Sequence, residues 1–145
     1  MNKFQAFRVY QENKKVLGRL ETVTVNDLDT GDVLIRTAYS AINYKDALAG
    51  TGAGKIIRHF PCIAGVDASG VVVESQDKRF KEGDPVLVTG YEFGVDHDGG
   101  FSEYVRVPAE WVVPVPNSMS LFDAMAIGTA GFTVALCVQR LEENN

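Results

Sequence analysis

The side chains best suited to chemistry lie together in the run Asn43-Tyr44-Lys45-Asp46, directly after a predicted strand. Asn43 is a good helix N-cap, and Asp46, three residues later, places a carboxylate near the positive end of that helix. Capping alone can explain both residues. Tyr44 is different, because a phenol in the first turn lies at a strand-to-helix corner, where side chains often face a cleft. A phenol in that position could donate a hydrogen bond or a proton. The alternative is a tyrosine that packs against the domain with its hydroxyl in water.

The other residue types with reactive side chains are few. Cys62 and Cys137 are far apart and are flanked by apolar residues, which predicts buried free thiols in a reducing compartment. His59 and His97 are not part of a recognisable nucleophile motif. We therefore expect no cysteine-based catalysis.

The elements that must position the corner at Asn43 are mostly short strands. Residues rich in β-branched and aromatic side chains predict strands at 4–10, 20–25, 33–39, 63–74, 86–88, 101–107 and 111–115. Gly70 within its strand suggests a bulge or a close backbone approach, and Pro114 suggests an edge strand. The tail is predicted to be helical, with Ser120 as N-cap, a break at Gly128 and Thr129 as cap of the next helix. Many strands followed by helices predict an α+β or partly open barrel architecture.

Composition excludes several classes of function. The chain has 145 residues, 46% of them hydrophobic, and a net charge of −5, which predicts one globular domain. Acidic and basic residues are mixed, so no basic stripe is available for nucleic acid or an anionic membrane. The N-terminus has no apolar signal core, and no later apolar run is expected to approach a membrane span. A cytoplasmic protein without membrane or nucleic-acid partners is expected.

Five short motifs in collinear order give the chain a family resemblance. It resembles the N-terminal, GroES-like catalytic domain of the medium-chain dehydrogenase/reductase superfamily, a partly open β-barrel. The run from Ile42 to Gly50 resembles the acrylyl-CoA reductases, also known as YhdH/YhfP-type quinone oxidoreductases. The motifs are Asn43-Tyr44-Lys45-Asp46, Pro61 with Gly65-Val66-Asp67-Ala68-Ser69-Gly70-Val71-Val72, Gly83-Asp84-Pro85-Val86, Gly99-Gly100-Phe101-Ser102-Glu103-Tyr104 and Gly128-Thr129-Ala130-Gly131-Phe132-Thr133.

The resemblance implies a member without zinc. Zinc alcohol dehydrogenases of this superfamily carry a cysteine at the position of Asn43 and a histidine at that of Val66. A carboxamide and an isopropyl group cannot replace a thiolate and an imidazole as zinc ligands. The clustered cysteines of the family's structural zinc lobe are missing as well. We expect no metal site.

The implied activity is that of an NADPH-dependent oxidoreductase. Hydride would pass to an activated C=C bond, as in an acrylyl-CoA-like enoyl thioester, or to a quinone. Tyr44 is the implied catalytic residue and, with Asn43 and Thr129, a contact of the cofactor. Tyr91 and Phe93 are candidates for an apolar substrate wall. The resemblance further implies a homodimer of the full-length protein and no partner beyond its small-molecule substrate.

The chain departs from the family in one large respect. NADPH is held in that family mainly by a Rossmann-type domain with a Gly-rich strand-to-helix turn, and no such turn occurs here. Residues 1–145 are therefore expected to be a segment of the GroES-like catalytic domain, with C-terminal helices leading toward the absent Rossmann domain. As a separate piece it would be inactive. The alternative is a stand-alone GroES-like interaction module without catalysis.

Overall fold

Eight strands, two α-helices and two short 3-10 helices make up the fold of residues 3–144, the part of the chain that the computed structural model describes. The α+β class predicted from the sequence is confirmed. The strands are β1 (Lys3–Glu12), β2 (Lys15–Thr24), β3 (Val33–Tyr39), β4 (Cys62–Ile63), β5 (Asp67–Ser75), β6 (Pro85–Thr89), β7 (Tyr104–Val107) and β8 (Val112–Pro114), and the helices are α1 (Tyr44–Thr51) and α2 (Leu121–Glu143).

The strands form two antiparallel sheets that are joined at one segment. The smaller sheet has the order β2-β1-β4 and the larger one β7-β3-β5-β6-β8. The backbone of residues 101–103 connects them, because Phe7 N–H donates to Phe101 O (2.8 Å) while Thr37 N–H donates to Glu103 O (3.0 Å). Two open sheets linked in this way form the partly open barrel that the sequence predicts. The same link explains why the predicted strand 101–107 is regular only from Tyr104 onward.

Alternating apolar side chains supply the core. In a strand, every second side chain points to the same face, and here that face is buried between the sheets. The cluster beneath the larger sheet contains Val33, Ile35, Ala68, Val72, Phe80, Val86, Val88, Phe93, Val105, Val107, Ala109 and Val112. Burial of this apolar surface is the main stabilising contribution to the barrel.

Three local predictions about the strands and thiols are settled by the structure. β8 pairs only with β6, so Pro114 does lie on an edge strand. A Cβ at Gly70 would overlap the carbonyl oxygen of Arg36, which confirms the close backbone approach. Cys62 is buried, and burial raises the pKa of its thiol well above the usual range. Cys137 is exposed on α2, so the prediction of two buried thiols is wrong for this residue.

Helix α2 is interrupted at Gly128. Ser120 caps its start as predicted, since Ser120 Oγ accepts from Asp123 N–H (3.1 Å). Within residues 3–144 this one helix is long and apolar enough to cross a membrane by length and composition, which corrects the sequence-based reading. Gly128, however, has φ 49° and ψ −162°, and it divides α2 into segments 121–127 and 129–143. Each segment is shorter than the roughly 20 residues that a straight membrane span needs.

We expect that Gly128→Ala lowers the free energy of unfolding by about 3 kcal/mol. The backbone of Gly128 is in a region that side chains rarely adopt, and an added Cβ would lie 2.9 Å from Asp67 Oδ2. Gly83→Ala is the matched control, because Gly83 also has a positive φ (92°) but open space around it, and it should cost only about 1 kcal/mol. Urea unfolding followed by circular dichroism measures both. Equal losses of unfolding free energy in the two variants would show that the contact of the added Cβ with Asp67 contributes nothing to the destabilisation.

Candidate functional site

A buried carboxylate, that of Asp67, lies where three separate segments meet. Its Oδ2 accepts from Asn43 Nδ2 (2.9 Å) and from the backbone N–H of Thr129 (3.1 Å). Its Oδ1 accepts from the hydroxyls of Thr89 (2.5 Å) and Thr129 (2.6 Å). Within the described residues no basic side chain forms an ion pair with Asp67. Four neutral donors therefore solvate this carboxylate in place of water.

Strand register and chain breaks bring these donors together. Asp67 is the first residue of β5 and pairs directly with Thr89, the last residue of β6. Asn43 occupies the N-cap position of α1, and Thr129 follows the break at Gly128. The N–H of Thr129 is one of the free donors at the start of the second segment of α2. Asp67 therefore caps this segment, whereas the sequence predicted that Thr129 would cap it.

Asp46 fixes the corner from the other side. Its Oδ2 accepts from the backbone N–H of Asn43 (2.7 Å) and its Oδ1 from the N–H of Val66 (3.1 Å). Burial raises the pKa of Asp46 above its ordinary value. Because Asp46 holds the backbone of Asn43 while Asp67 holds its side chain, the start of α1 is attached firmly to β5.

Tyr44 projects from this corner into solvent. It is 81% exposed, and its hydroxyl makes no hydrogen bond to any other residue of the described range 3–144. The alternative of a tyrosine packed against the barrel wall is thus not observed. The phenol is free to donate to a molecule bound beside the corner, and its role stays a prediction.

An apolar cleft of about 560 Å³ opens beside the Asp67 network, between β6, β8 and α2. Thr89 and Gly128 line the end nearest to Asp67, and Met125 and Phe132 line the helical side. Tyr91 lies at the cleft as well, with its ring stacked on Trp111 at a centroid distance of 5.4 Å and an interplanar angle of 9°. The cleft is suited to a largely apolar molecule with a polar group at the Thr89 end.

Phe93 does not line this cleft. Its side chain is fully buried in the core beneath the larger sheet. Tyr91 has a positive φ (52°), so the chain turns there, and Phe93 enters the interior while Tyr91 stays at the surface. The prediction of a substrate wall is therefore wrong for Phe93, and the role of Tyr91 stays a prediction.

The residues at the corner do not fit a zinc ion. Asn43 uses its amide to donate to Asp67, and Val66 has no atom that can bind a metal. Across residues 3–144 no three His, Cys, Asp or Glu side chains lie close enough to hold an ion together. Zinc in proteins prefers thiolate, imidazole and carboxylate ligands, and the donors here are mostly hydroxyl and amide groups.

Two residues of the network were missed from the sequence. Asp67 lies in a matched motif inside an apolar run, and a carboxylate in a buried strand needs donors, which is a signal that could have found it. Thr89 gave no signal, because only the register of β5 with β6 places it opposite Asp67.

A partly open antiparallel barrel with a polar corner before α1, followed by a broken helix, is the architecture of a GroES-like domain. The chain belongs to the alcohol dehydrogenase GroES-like domain family, whose model matches residues 29–117. Among curated proteins it is 52% identical over 141 residues to the "Putative quinone oxidoreductase YhfP" of Bacillus subtilis (strain 168), with 97% of this chain and 43% of the relative covered. It is 47% identical over 139 residues to the "Probable acrylyl-CoA reductase AcuI" of Escherichia coli (strain K12), with 96% and 43% covered.

The chain is also similar to solved structures over nearly its whole length. The chain superposes with a TM-score of 0.96 on Bacillus subtilis yhfP with NAD bound, at 51% identity, covering 100% of this chain and 44% of that one. The TM-score is 0.93 for the yhdH oxidoreductase from Salmonella enterica in complex with NADP, at 47% identity, covering 96% and 43%. The chain thus spans less than half the length of these relatives, and it resembles proteins that bind nicotinamide cofactors.

Proposed function

We propose that this chain is the GroES-like part of a zinc-independent, NADPH-dependent oxidoreductase that acts in the cytoplasm. Its substrate would be an activated C=C bond, as in an acrylyl-CoA-like enoyl thioester, or a quinone. The observation that carries the proposal is the close similarity over nearly the whole chain to a structure with bound NADP. A nucleotide-binding domain of Rossmann type would hold most of the cofactor, and the 145 residues alone would be inactive.

The residues of the site fit the nicotinamide end of such a cofactor. Bound NADPH would supply the hydride. Thr129 and Asn43, which Asp67 holds in place, would contact the ring and its carboxamide. The cleft beside them has a largely apolar lining, and Tyr91 lies at the cleft, where its ring would meet the substrate.

Tyr44 would provide the hydrogen bond that the substrate needs. When hydride adds to the β-carbon of a conjugated carbonyl, negative charge moves to the carbonyl oxygen. A donor placed at that oxygen stabilises the charge and can deliver a proton. Tyr44 has an exposed phenol without a protein partner among residues 3–144, so it is available for this step.

Exposed apolar side chains on the second segment of α2 are consistent with a further domain. A surface of this kind on a soluble protein is commonly a contact area. We propose that the Rossmann-type domain packs there and that the complete protein is a homodimer. The side chains are Phe132, Val134, Leu136, Val138 and Leu141.

We expect the product of the complete gene to bind NADPH at micromolar concentrations, and the 145-residue chain to show no binding in that range. The reason is that most contacts to the dinucleotide would lie outside these residues. Nicotinamide fluorescence during titration measures both proteins. Micromolar binding by the 145-residue chain would contradict the proposal. Steady-state assays of the complete product with acrylyl-CoA and with a benzoquinone then distinguish the two substrate classes.

A further inference from the structure

Two hydroxyl groups beside the end of the cleft form short hydrogen bonds with Asp67 and with each other. Asp67 Oδ1, Thr89 Oγ1 and Thr129 Oγ1 form a triangle in which the three oxygens lie 2.5, 2.6 and 2.6 Å apart. The carboxylate is fully buried, whereas both threonines are half-buried and Thr89 lines the cleft. Thr129 adjoins the same end, because the preceding residue, Gly128, also lines the cleft.

The number of protons in the triangle determines whether the two hydroxyls can donate hydrogen bonds to a ligand or only accept them. The triangle has three short O···O contacts, and the two threonines bring only two protons. Each proton that pointed outward would leave a further short contact between two oxygen lone pairs, which is repulsive. Both protons therefore stay inside the triangle, and the cleft meets only acceptor lone pairs.

We propose that Asp67 is a positioning residue that makes this end of the cleft selective for a hydrogen-bond donor, namely the NH₂ of a carboxamide. The inference rests on the proposed function, because nicotinamide carries this group. Thr129 Oγ1 accepts from the NH₂ and cannot donate to the carboxamide oxygen. The network thereby selects one of the two orientations that differ by a half-turn of the carboxamide about its bond to the ring.

The test compares NADP⁺ with its 3-acetylpyridine analogue, in which a methyl group replaces the NH₂. We expect the complete gene product to bind NADP⁺ about tenfold more tightly, as measured by calorimetry, because the analogue leaves Thr129 without a donor. Thr129→Val removes the acceptor at nearly constant volume and should reduce the ratio of the two dissociation constants to near one. Thr129→Ser keeps the hydroxyl and should keep the ratio.

Asp67→Asn addresses the positioning role. The new amide can donate to Thr129 Oγ1, so the hydroxyl proton is released toward the cleft and the ratio should fall severalfold or invert. A purely structural role would weaken both ligands equally and leave the ratio unchanged, which would overturn the inference. A wild-type protein that binds both ligands equally would overturn it too. Failure to bind NADP⁺ at all would instead refute the proposed function, and the inference with it.

Discussion

Replacing Asp67 with alanine is expected to lower the free energy of unfolding by about 3 kcal/mol. The side chain accepts four hydrogen bonds from α1, β6 and α2, and its removal leaves those donors without a partner in a largely buried site. Water can reach part of the network, since Asn43, Thr89 and Thr129 are half-buried, so the loss is smaller than the sum of four buried hydrogen bonds. Urea unfolding of the variant and the parent protein gives the value.

Asp96→Ala is the matched control for this prediction. Asp96 is also a carboxylate that is hydrogen-bonded to another side chain, but it is exposed, and within residues 3–144 its side chain pairs only with His59 (3.1 Å). Surface pairs of this type contribute roughly 0–1 kcal/mol. If Asp67→Ala lowered the free energy of unfolding no more than Asp96→Ala does, the hydrogen bonds of Asp67 would not hold the three segments together.

Replacing Tyr44 with phenylalanine should lower turnover or cofactor affinity of the complete gene product by roughly tenfold or more. The substitution removes an exposed hydroxyl that forms no hydrogen bond with any other residue between 3 and 144, so the free energy of unfolding should change by less than about 0.5 kcal/mol. A large kinetic effect without a stability effect would assign the hydroxyl to a bound molecule. Steady-state kinetics with NADPH and the preferred acceptor provide the measurement.

Tyr39→Phe separates this effect from the general loss of a surface phenol. Tyr39 is another exposed tyrosine, at the end of β3, with its ring packed edge-to-face against Phe122 at 5.6 Å. We expect the turnover and the cofactor affinity of the Tyr39→Phe variant to match those of the parent protein. If Tyr44→Phe likewise left the kinetics unchanged, Tyr44 would have no part in the reaction.

The corner at Asn43 was predicted from the sequence only in part. The N-cap at Asn43 and the acid at Asp46 follow from local preferences of the backbone, and both are found where the sequence predicts them. The substrate wall fails in part because two residues of one loop, Tyr91 and Phe93, differ in burial once the backbone turns at Tyr91. Local residue type could not reveal that turn, since a positive φ at a tyrosine is uncommon.

The sequence by itself determined the family, the α+β class, most strands and the helix starts. These features depend on periodicity, capping preferences and short collinear motifs, all of which act over a few neighbouring residues. Only the tertiary structure decided that Asp67 gathers donors from Asn43, Thr89 and Thr129. These residues are brought together by the register of β5 with β6 and by the break at Gly128, and such long-range pairing leaves no pattern in the local sequence.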